Sequence, residues 1–287
     1  MRCLNPIMIK TPPPLQQVIE VPCCKCMECR VRRTAEWTRR ILDECAINPE
    51  SNCFLTLTYD DDHLPLVYND KTHVVVPTLD PKDLQDFFKR FRKRFAPNTI
   101  KYYACGEYGD DTNRPHYHIA LMGWRPSLDR MTKHGRYWSS QDISDVWTMG
   151  HNTVGTLNKE SAQYVAGYIR KKLYGKADQY APAIPPFSRQ SRGIGLRYAQ
   201  QNWRNILSGD GYTVNGKSLG IPRYYIRKIA TQSDIEALRD IALDKEADKI
   251  KDYYTYYEYQ RALNSDRVRR ELDLIGAERS YNMRVRL

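Results

Sequence analysis

Two imidazoles stand two residues apart in Arg114-Pro115-His116-Tyr117-His118-Ile119-Ala120-Leu121, a run with the character of a strand. Residues i and i+2 of a strand point to one face, so His116 and His118 aim together while Tyr117, Ile119 and Leu121 turn the other way into an apolar layer. Such a pair is half of a divalent-metal site on a sheet surface, although the same spacing also arises on half-exposed strands that bind nothing. Upstream, Lys101-Tyr102-Tyr103-Ala104-Cys105-Gly106-Glu107-Tyr108 is strand-like again, and the stretch from Gly109 to Pro115 is dense in turn formers, which predicts a β-hairpin. If the hairpin closes symmetrically, Glu107 lies across from the His pair and completes a two-His, one-acid set with open positions for water or substrate. The competing reading of Glu107 is a solvated turn flank.

A second group lies in Tyr164-Val165-Ala166-Gly167-Tyr168-Ile169-Arg170-Lys171-Lys172. Residues i and i+4 share a helix face, so Tyr164, Tyr168 and Lys172 stack along one stripe with Lys171 beside them. A phenol has a pKa of about 10 and attacks poorly when neutral; a metal that polarises the electrophile and a lysine that stabilises phenolate are the expected helpers. In a chain with 21 tyrosines, plain packing is the alternative for this pair. Lys171 or Lys172 orients a phosphate or neutralises departing charge, unless both simply form a solvated helix end.

The elements that must position these groups are partly legible. Residues 1–29 lack periodicity and read as an irregular Cys-rich arm. From Arg30 to about Ala46, Trp37, Ile41, Leu42 and Cys45 form one helical stripe, with Arg32, Arg33, Arg39 and Arg40 largely elsewhere. Phe54-Leu55-Thr56-Leu57-Thr58-Tyr59 alternates as a half-buried strand, its Thr face free for chemistry. Pro81 begins a helix on which Leu84, Phe87, Phe88, Phe91 and Phe95 recur up to Pro97, a pattern suited to covering the apolar side of a sheet. Lys89, Arg90, Arg92, Lys93 and Arg94 on that helix are a basic run that could track a DNA backbone or merely face solvent. Arg114, Arg170 and Arg192 join Lys89, Arg90, Arg92 and Lys93 as candidate DNA contacts. Residues 124–159 read as a long excursion, 159–173 as a helix, 175–195 as loop, and 231–276 as a charged helical extension with tyrosines clustered from Tyr253 to Tyr259.

The chain of 287 residues fits one large domain with extensions or two small ones. Its formal charge of +11 and pI near 9.2 call for a polyanionic partner, with nucleic acid first. No run of about 18 apolar residues occurs and the N-terminus lacks a signal-peptide core, so a soluble, unsecreted chain with no membrane partner and reduced cysteines is expected. Cys23-Cys24-Lys25-Cys26-Met27-Glu28-Cys29 then reads as overlapping CxxC units, with Cys3 as a plausible fourth thiolate, suited to structural Zn²⁺. Unliganded thiols and an iron–sulfur cluster are the rivals, the latter weakened because Arg33 and Thr34 stand where a fourth Cys followed by Pro belongs. Gly211-Tyr212-Thr213-Val214-Asn215-Gly216-Lys217-Ser218 has the letters of a P-loop, but Asn215-Gly216 is a hairpin signal and Pro222 blocks a following helix, so no nucleotide cofactor is expected.

Taken in order, these segments resemble the HUH endonuclease superfamily, specifically the rolling-circle replication initiators of small single-stranded DNA phages, the gokushovirus branch of the microviruses. Phe54 to Tyr59 resembles the first family motif, His116-Tyr117-His118 the His-hydrophobe-His motif, and Tyr164 to Lys172 the tyrosine motif. Glu107 lies at the separation from the His pair that the acidic ligand has in related viral initiators. The resemblance extends through Val21-Pro22-Cys23 to Cys29, Phe87-Phe88-Lys89-Arg90, Cys105 to Gly109, Ser191 to Gly195 and Pro222-Arg223-Tyr224-Tyr225, covering most of residues 1–230. Cys24 departs from the family pattern, which usually holds Gly there.

The resemblance implies a nickase and DNA-joining enzyme acting on single-stranded or supercoiled origin DNA. Glu107, His116 and His118 would hold Mg²⁺ or Mn²⁺, and Tyr168, with Tyr164 as alternate, would attack the phosphodiester. The product would be a 5′-phosphotyrosine link and a free 3′-hydroxyl that primes a host polymerase, with strand separation left to a host helicase, all in the host cytoplasm. The expected fold is α+β: a central antiparallel sheet of about five strands (an HUH/RRM-like core), helices packed on one face and the metal–tyrosine site on the other. Residues 1–50 form the Cys-rich arm and basic helix, 51–230 the endonuclease domain, and 231–287 the helical C-terminal extension. Two rivals remain. One is a non-catalytic basic DNA-binding protein with a structural zinc arm. The other is a metallohydrolase of small substrates, which would recruit further His or Asp ligands; His134 and His151 lie in no matching motif.

Overall fold

The computed structural model describes residues 3–12, 16–109, 112–132, 135, 137–172, 180–208, 212–214, 217–250, 258, 261, 262, 265, 266, 268 and 269, with side chains described except at 168–172, 212–214, 217–219 and 245–250. In chain order the elements are β1 (Ile7–Lys10), β2 (Val18–Val21), α1 (Met27–Cys45), β3 (Asn52–Tyr59), β4 (Leu66–Asn69), β5 (Val74–Pro77), α2 (Pro81–Arg94), β6 (Lys101–Tyr108), β7 (Pro115–Met122), β8 (Arg130–Met131), β9 (Trp138–Ser139), α3 (Gln141–Ser144), β10 (Gly150–Gly155), α4 (Lys159–Lys172), β11 (Phe187–Gln190), α5 (Leu196–Gln201), α6 (Trp203–Leu207), β12 (Tyr212–Val214), β13 (Lys217–Leu219), α7 (Arg223–Ile229) and α8 (Gln232–Ile250). They fall into two compact units, residues 37–201 and residues 1–36 with 202–287.

The 37–201 unit is built on one antiparallel sheet in the order β11-β6-β7-β3-β10-β9-β8. The α+β class with a central antiparallel sheet is as expected from the sequence. Seven strands stand where about five were expected, because β8 and β9 add two-residue pairings at one edge. Strict alternation sorts the side chains. Leu55, Leu57 and Tyr59 of β3 and Tyr117, Ile119 and Leu121 of β7 are buried together with Leu84, Phe87, Phe88 and Phe91 of α2. Each such burial contributes about 1.5–3 kcal/mol. Asp80 caps α2 by accepting the Lys82 N–H at 2.7 Å, Pro81 takes the first turn, and Arg92, Lys93 and Arg94 close the last turn, where cations suit the helix dipole.

α2 supplies the expected helical cover of one face. The other face is also covered in part, as it must be if a tyrosine helix is to reach the His pair. Ala162, Val165 and Ala166 of α4 pack with Phe54, Tyr103, Cys105, Ala120 and Met122, and Ile41 of α1 joins them. Small residues on α4 let the helix approach the sheet closely.

Two strands lie where the sequence reads as excursion or loop. β10 pairs with β3 along its whole length, Gly150↔Tyr59 to Gly155↔Phe54. Its letters hide it: Gly-His-Asn-Thr-Val-Gly shows no apolar alternation, because Asn152 takes a buried position. That amide bonds the Ser140 N–H (3.0 Å), the Ser140 carbonyl (3.1 Å) and Ser144 Oγ (2.9 Å), which removes the cost of burying it. Gly150, at φ +143, lies so close to β3 that an added Cβ would come within 2.4 Å of the Thr58 carbonyl oxygen, so only glycine fits. The second strand, β11, is a four-residue edge.

In the other unit, β1 pairs with β2 and β12 with β13. The P-loop letters thus fall on an antiparallel pair, Val214↔Lys217, and not on a strand, loop and helix. The charged extension begins as α8; the tyrosines from Tyr253 to Tyr259 lie outside the described residues. Among the described residues no helix is long and apolar enough to cross a membrane.

A buried hydroxyl latch ties the sheet to the start of α2. The Tyr59 hydroxyl donates to Asp83 (2.8 Å) and meets the Tyr117 hydroxyl (2.7 Å), which also bonds the backbone of Asp80. Tyr59→Phe is expected to leave Asp83 and Tyr117 under-bonded and to lower stability by about 1–3 kcal/mol. A urea denaturation midpoint unchanged from the native protein would show that the latch contributes nothing.

Candidate active site

β6 and β7 close as a symmetric hairpin with Glu107↔His116 and Cys105↔His118 in register, and β3 adds Thr58↔His116 and Thr56↔His118 on the other side. Cross-strand partners share a face, so Glu107, His116, His118, Thr56 and Thr58 all lie on the face opposite α2. The side chains converge there. His116 Nε2 is 2.8 Å and His118 Nε2 2.9 Å from Glu107 Oε1. From α4, the Tyr164 hydroxyl donates to the same oxygen at 3.1 Å and lies 3.5 Å from His118 Nε2. The Tyr164 ring stands edge-on to His118, and Phe54 stacks on the imidazole with centroids 5.4 Å apart.

The outer hydrogen bonds fix the imidazoles. His116 Nδ1 is 3.0 Å from the Arg114 carbonyl, which only accepts, so Nδ1 carries a proton and Nε2 of a neutral ring presents a lone pair. His118 Nδ1 is held at 2.9 Å by Thr56 Oγ1. Two lone pairs and a carboxylate oxygen thus face one another at hydrogen-bond distance, an arrangement that calls for shared protons or a cation. Burial works against an ionised Glu107, but the hydrogen bonds and charge of His116 and His118 outweigh it and hold the carboxyl at about 2. Burial pushes the His118 imidazole below its ordinary value, with Glu107 pulling the other way. Glu107 Oε2 is buried with no hydrogen-bond partner. An orphaned carboxylate oxygen beside two oriented imidazole nitrogens, the three donor atoms within 4.8 Å of one another, fits a divalent cation.

Not every sequence-predicted residue joins this cluster. Tyr168, Arg170, Lys171 and Lys172 lie in the last two turns of α4, and their side chains lie outside the described residues. The expectation that a phosphate's width separates His pair and tyrosines does not hold for Tyr164, whose hydroxyl touches the cluster directly, because Ala162 and Ala166 let α4 sit close. Lys89, Arg90, Arg92 and Lys93 belong to α2, on the opposite face of the sheet. There Arg90 bonds the Val146 carbonyl at 2.8 Å and Lys89 pairs with Asp86 at 3.0 Å. Arg114 bonds the Tyr59 carbonyl (2.9 Å) and Asp61, bracing the hairpin turn against the end of β3. Arg192 is exposed. Thr56 and Phe54 gained no role from the sequence beyond a polar and an apolar position on a strand; the alternation of β3 already put both on the face of the His pair.

A separate cluster gathers Cys3, Cys23, Cys26 and Cys29 with all four Sγ atoms within 4.8 Å of one another. Cys23 Sγ accepts the N–H groups of Cys26 (3.2 Å) and Lys25 (3.4 Å), and Cys3 Sγ accepts that of Cys23 (3.2 Å). Burial opposes ionisation of Cys23, yet these bonds prevail and bring its thiol down to about 6, whereas burial pushes the thiols of Cys3 and Cys29 up. Four thiolates this close require a cation between them, and a tetrahedral S₄ set suits zinc. Cys24 is exposed and points elsewhere, its sulfur toward the Pro22 carbonyl. Its φ of +59 is the left-handed conformation that glycine adopts without strain, which explains why glycine suits this position.

A sequence model of the replication-associated protein ORF2 family matches residues 52–173, the span from β3 to just past α4 that holds the whole Glu107–His116–His118–Tyr164 constellation. The chain is 35% identical to the replication-associated protein ORF2 of Spiroplasma virus 4 over 78% of its own length and 72% of the relative's. It is 34% identical to the replication-associated protein VP4 of Bdellovibrio phage phiMH2K, over 71% of this chain and 65% of that one. With the replication-associated protein ORF4 of Chlamydia phage 1 the identity is 28%, over 83% and 63%. No solved structure matches. With 35% identity sustained over most of both chains, this chain belongs to the family of single-stranded DNA phage replication-associated proteins.

Proposed function

We propose that the protein initiates rolling-circle replication by nicking origin DNA through tyrosine transesterification and later rejoining the strand. The observation that carries this reading is the convergence of two oriented imidazole nitrogens, a half-satisfied buried carboxylate and a tyrosine hydroxyl at one point of the sheet. Glu107, His116 and His118 hold Mg²⁺ or Mn²⁺, which when bound polarises the scissile phosphodiester as a Lewis acid. Thr56 and the Arg114 carbonyl keep both imidazoles turned toward the ligand point. A tyrosine oxygen forms the new bond to phosphorus, the bond to the 3′-oxygen breaks, and that oxygen takes a proton to become a free 3′-hydroxyl. Glu107, held at about 2, is too weak a base for a phenol, so the phenolic proton leaves to solvent, with Lys171 or Lys172 stabilising phenolate. The 5′-phosphotyrosine bond conserves the energy needed to reseal the strand. Tyr164 and Tyr168 share the nucleophile's role, one cutting while the other is esterified. A host polymerase extends the 3′-hydroxyl and a host helicase separates the strands, in the host cytoplasm.

Incubation of the protein with labelled phage single-stranded DNA and Mn²⁺ should yield an SDS-resistant adduct whose peptide mass maps to α4. Replacement of both Tyr164 and Tyr168 by Phe should abolish adduct and cleavage together. Continued cleavage by the double variant would overturn the tyrosine chemistry, and a wild-type protein that binds DNA without ever forming an adduct would favour a non-catalytic DNA-binding role.

Metal binding is tested apart from catalysis by calorimetric titration of Mn²⁺. Thr56→Val, which removes the partner of His118 Nδ1, should weaken binding about 10–100-fold. His118→Ala should remove it. Protons compete for the same imidazole, so affinity falls with decreasing pH; because burial lowers His118, the fall should begin below the ordinary imidazole pKa of about 6.5. Equal affinities in the native and His118→Ala proteins would place the metal elsewhere.

For the thiol cluster we infer structural Zn²⁺. Elemental analysis should find one zinc per chain, lost in Cys26→Ser and retained in Cys24→Ser. Chelation should lower the thermal midpoint of the native protein and leave that of Cys26→Ser unmoved. Zinc lost equally from the two variants would rule out the four-cysteine set.

A further inference from the structure

On the sheet face turned away from His116 and His118, a groove of 680 Å³ runs between α2 and the edge strand β11. Lys82, Lys89 and Arg92, at helical spacing, form one wall; Arg189 of β11 stands on the other, over the Phe187 ring at 5.2 Å. The floor is aromatic. Phe88 lies flat on Tyr102 with centroids 3.6 Å apart, and the Arg92 guanidinium lies 5.7 Å from the first ring and 5.8 Å from the second. Phe88 is buried, whereas Tyr102 is half-buried and lines the groove.

Charge separates this groove from an ordinary solvated helix face. Four cations line it, and the acid between them, Asp86, is already shared by Lys82 and Lys89. The other nearby acid, Asp83, turns inward to Tyr59. Cations spaced along a groove with an accessible ring at its floor are what a single strand of nucleic acid requires, phosphates on the rim and a base stacked below. A duplex hides its bases, and a groove of this size cannot enclose one. An acidic peptide would meet the cations and leave Tyr102 unused.

The geometry points to a second single-stranded DNA track here, with Lys82, Lys89, Arg92 and Arg189 taking phosphates and Tyr102 taking a base. It is separate from the nicking site and holds a strand on the far side of the sheet from the reaction. A protein that must keep hold of DNA while one end is esterified gains from such a grip, and the assignment stands or falls independently of cleavage.

The test is binding of fluorescein-labelled oligothymidylate to the full-length protein, followed by anisotropy across a salt series. Charge reversal at Lys89, Arg92 and Arg189 together should weaken binding at least about tenfold and flatten the slope of log K against log salt by about 2, at about 0.7 per lost phosphate contact. The same loss should appear in a Glu107→Gln background, which separates this track from the metal site. Cross-linking of 5-iodouracil oligonucleotides to the unaltered protein should label the Tyr102 peptide, a readout that needs no variant to fold. An unchanged slope in a triple variant with a native denaturation midpoint would overturn the proposal, as would cross-links confined to the His face or competition by polyglutamate as strong as by oligothymidylate.

Discussion

The pairing of Glu107 with His116 is the constraint on which the site depends. Strand side chains alternate with a period of two, so a one-residue slip between β6 and β7 would move Glu107 to the α2 face and bring Tyr108 or Gly106 opposite the imidazoles. The slip is resisted from both sides of the sheet. It would expel Tyr117, Ile119 and Leu121 from the cluster beneath α2, and it would break the Tyr59–Tyr117 latch, whose hydroxyls meet at 2.7 Å only in this register. The apolar layer and the polar cluster are thus two faces of a single pairing decision, and hydrophobic burial holds three polar groups in a geometry they would not choose.

That geometry is electrostatically expensive when nothing bridges it. Two neutral imidazole nitrogens turned toward a buried carboxylate oppose lone pair to lone pair, and protonating the rings to relieve this is opposed by burial at His118. Thr56 and the Arg114 carbonyl prevent the escape of flipping the rings. A divalent cation removes every conflict at once, including the unpaired Glu107 Oε2. The cysteine cluster follows the same logic with softer donors: N–H groups of the chain prepare one thiolate while burial holds two other thiols protonated. In each case the fold stores a conflict that an ion of matching hardness resolves.

Much of this was legible in the sequence because it follows from short-range rules. Alternation in Phe54 to Tyr59 and His116 to Leu121, the turn formers between Gly109 and Pro115, and the Phe stripe of α2 each declared an element and a face. What stayed hidden depends on tertiary partners. β10 carries Asn152 where a strand pattern wants an apolar residue, and only the Ser140 and Ser144 groups that satisfy its amide make the strand sensible. The basic run of α2 announces charge but not location. It sits across the sheet from the His pair because the same phenylalanines that define the helix bind it to that face, and its partner in forming a groove, Arg189, comes from a strand too short to show a period.

The closeness of Tyr164 to the ligand cluster bears on how two tyrosines can serve one centre. Residues four apart on a helix are displaced by about 6 Å along its axis, so Tyr164 and Tyr168 cannot both stand at the same point while α4 stays fixed. The Tyr164 hydroxyl already occupies the bonding position beside Glu107 Oε1 and His118 Nε2. A phosphate entering between the imidazoles must therefore displace this hydroxyl and take over its place near the cluster, and the displaced oxygen then lies next to phosphorus. In the proposed chemistry, resting contact and attack position are neighbours for Tyr164, whereas Tyr168 serves a phosphate bound about one helical turn further along. Alternation between the two tyrosines then requires the strand to shift along α4, and the spacing of the phenols, more than any difference in their acidity, sets which bond is cut by which residue.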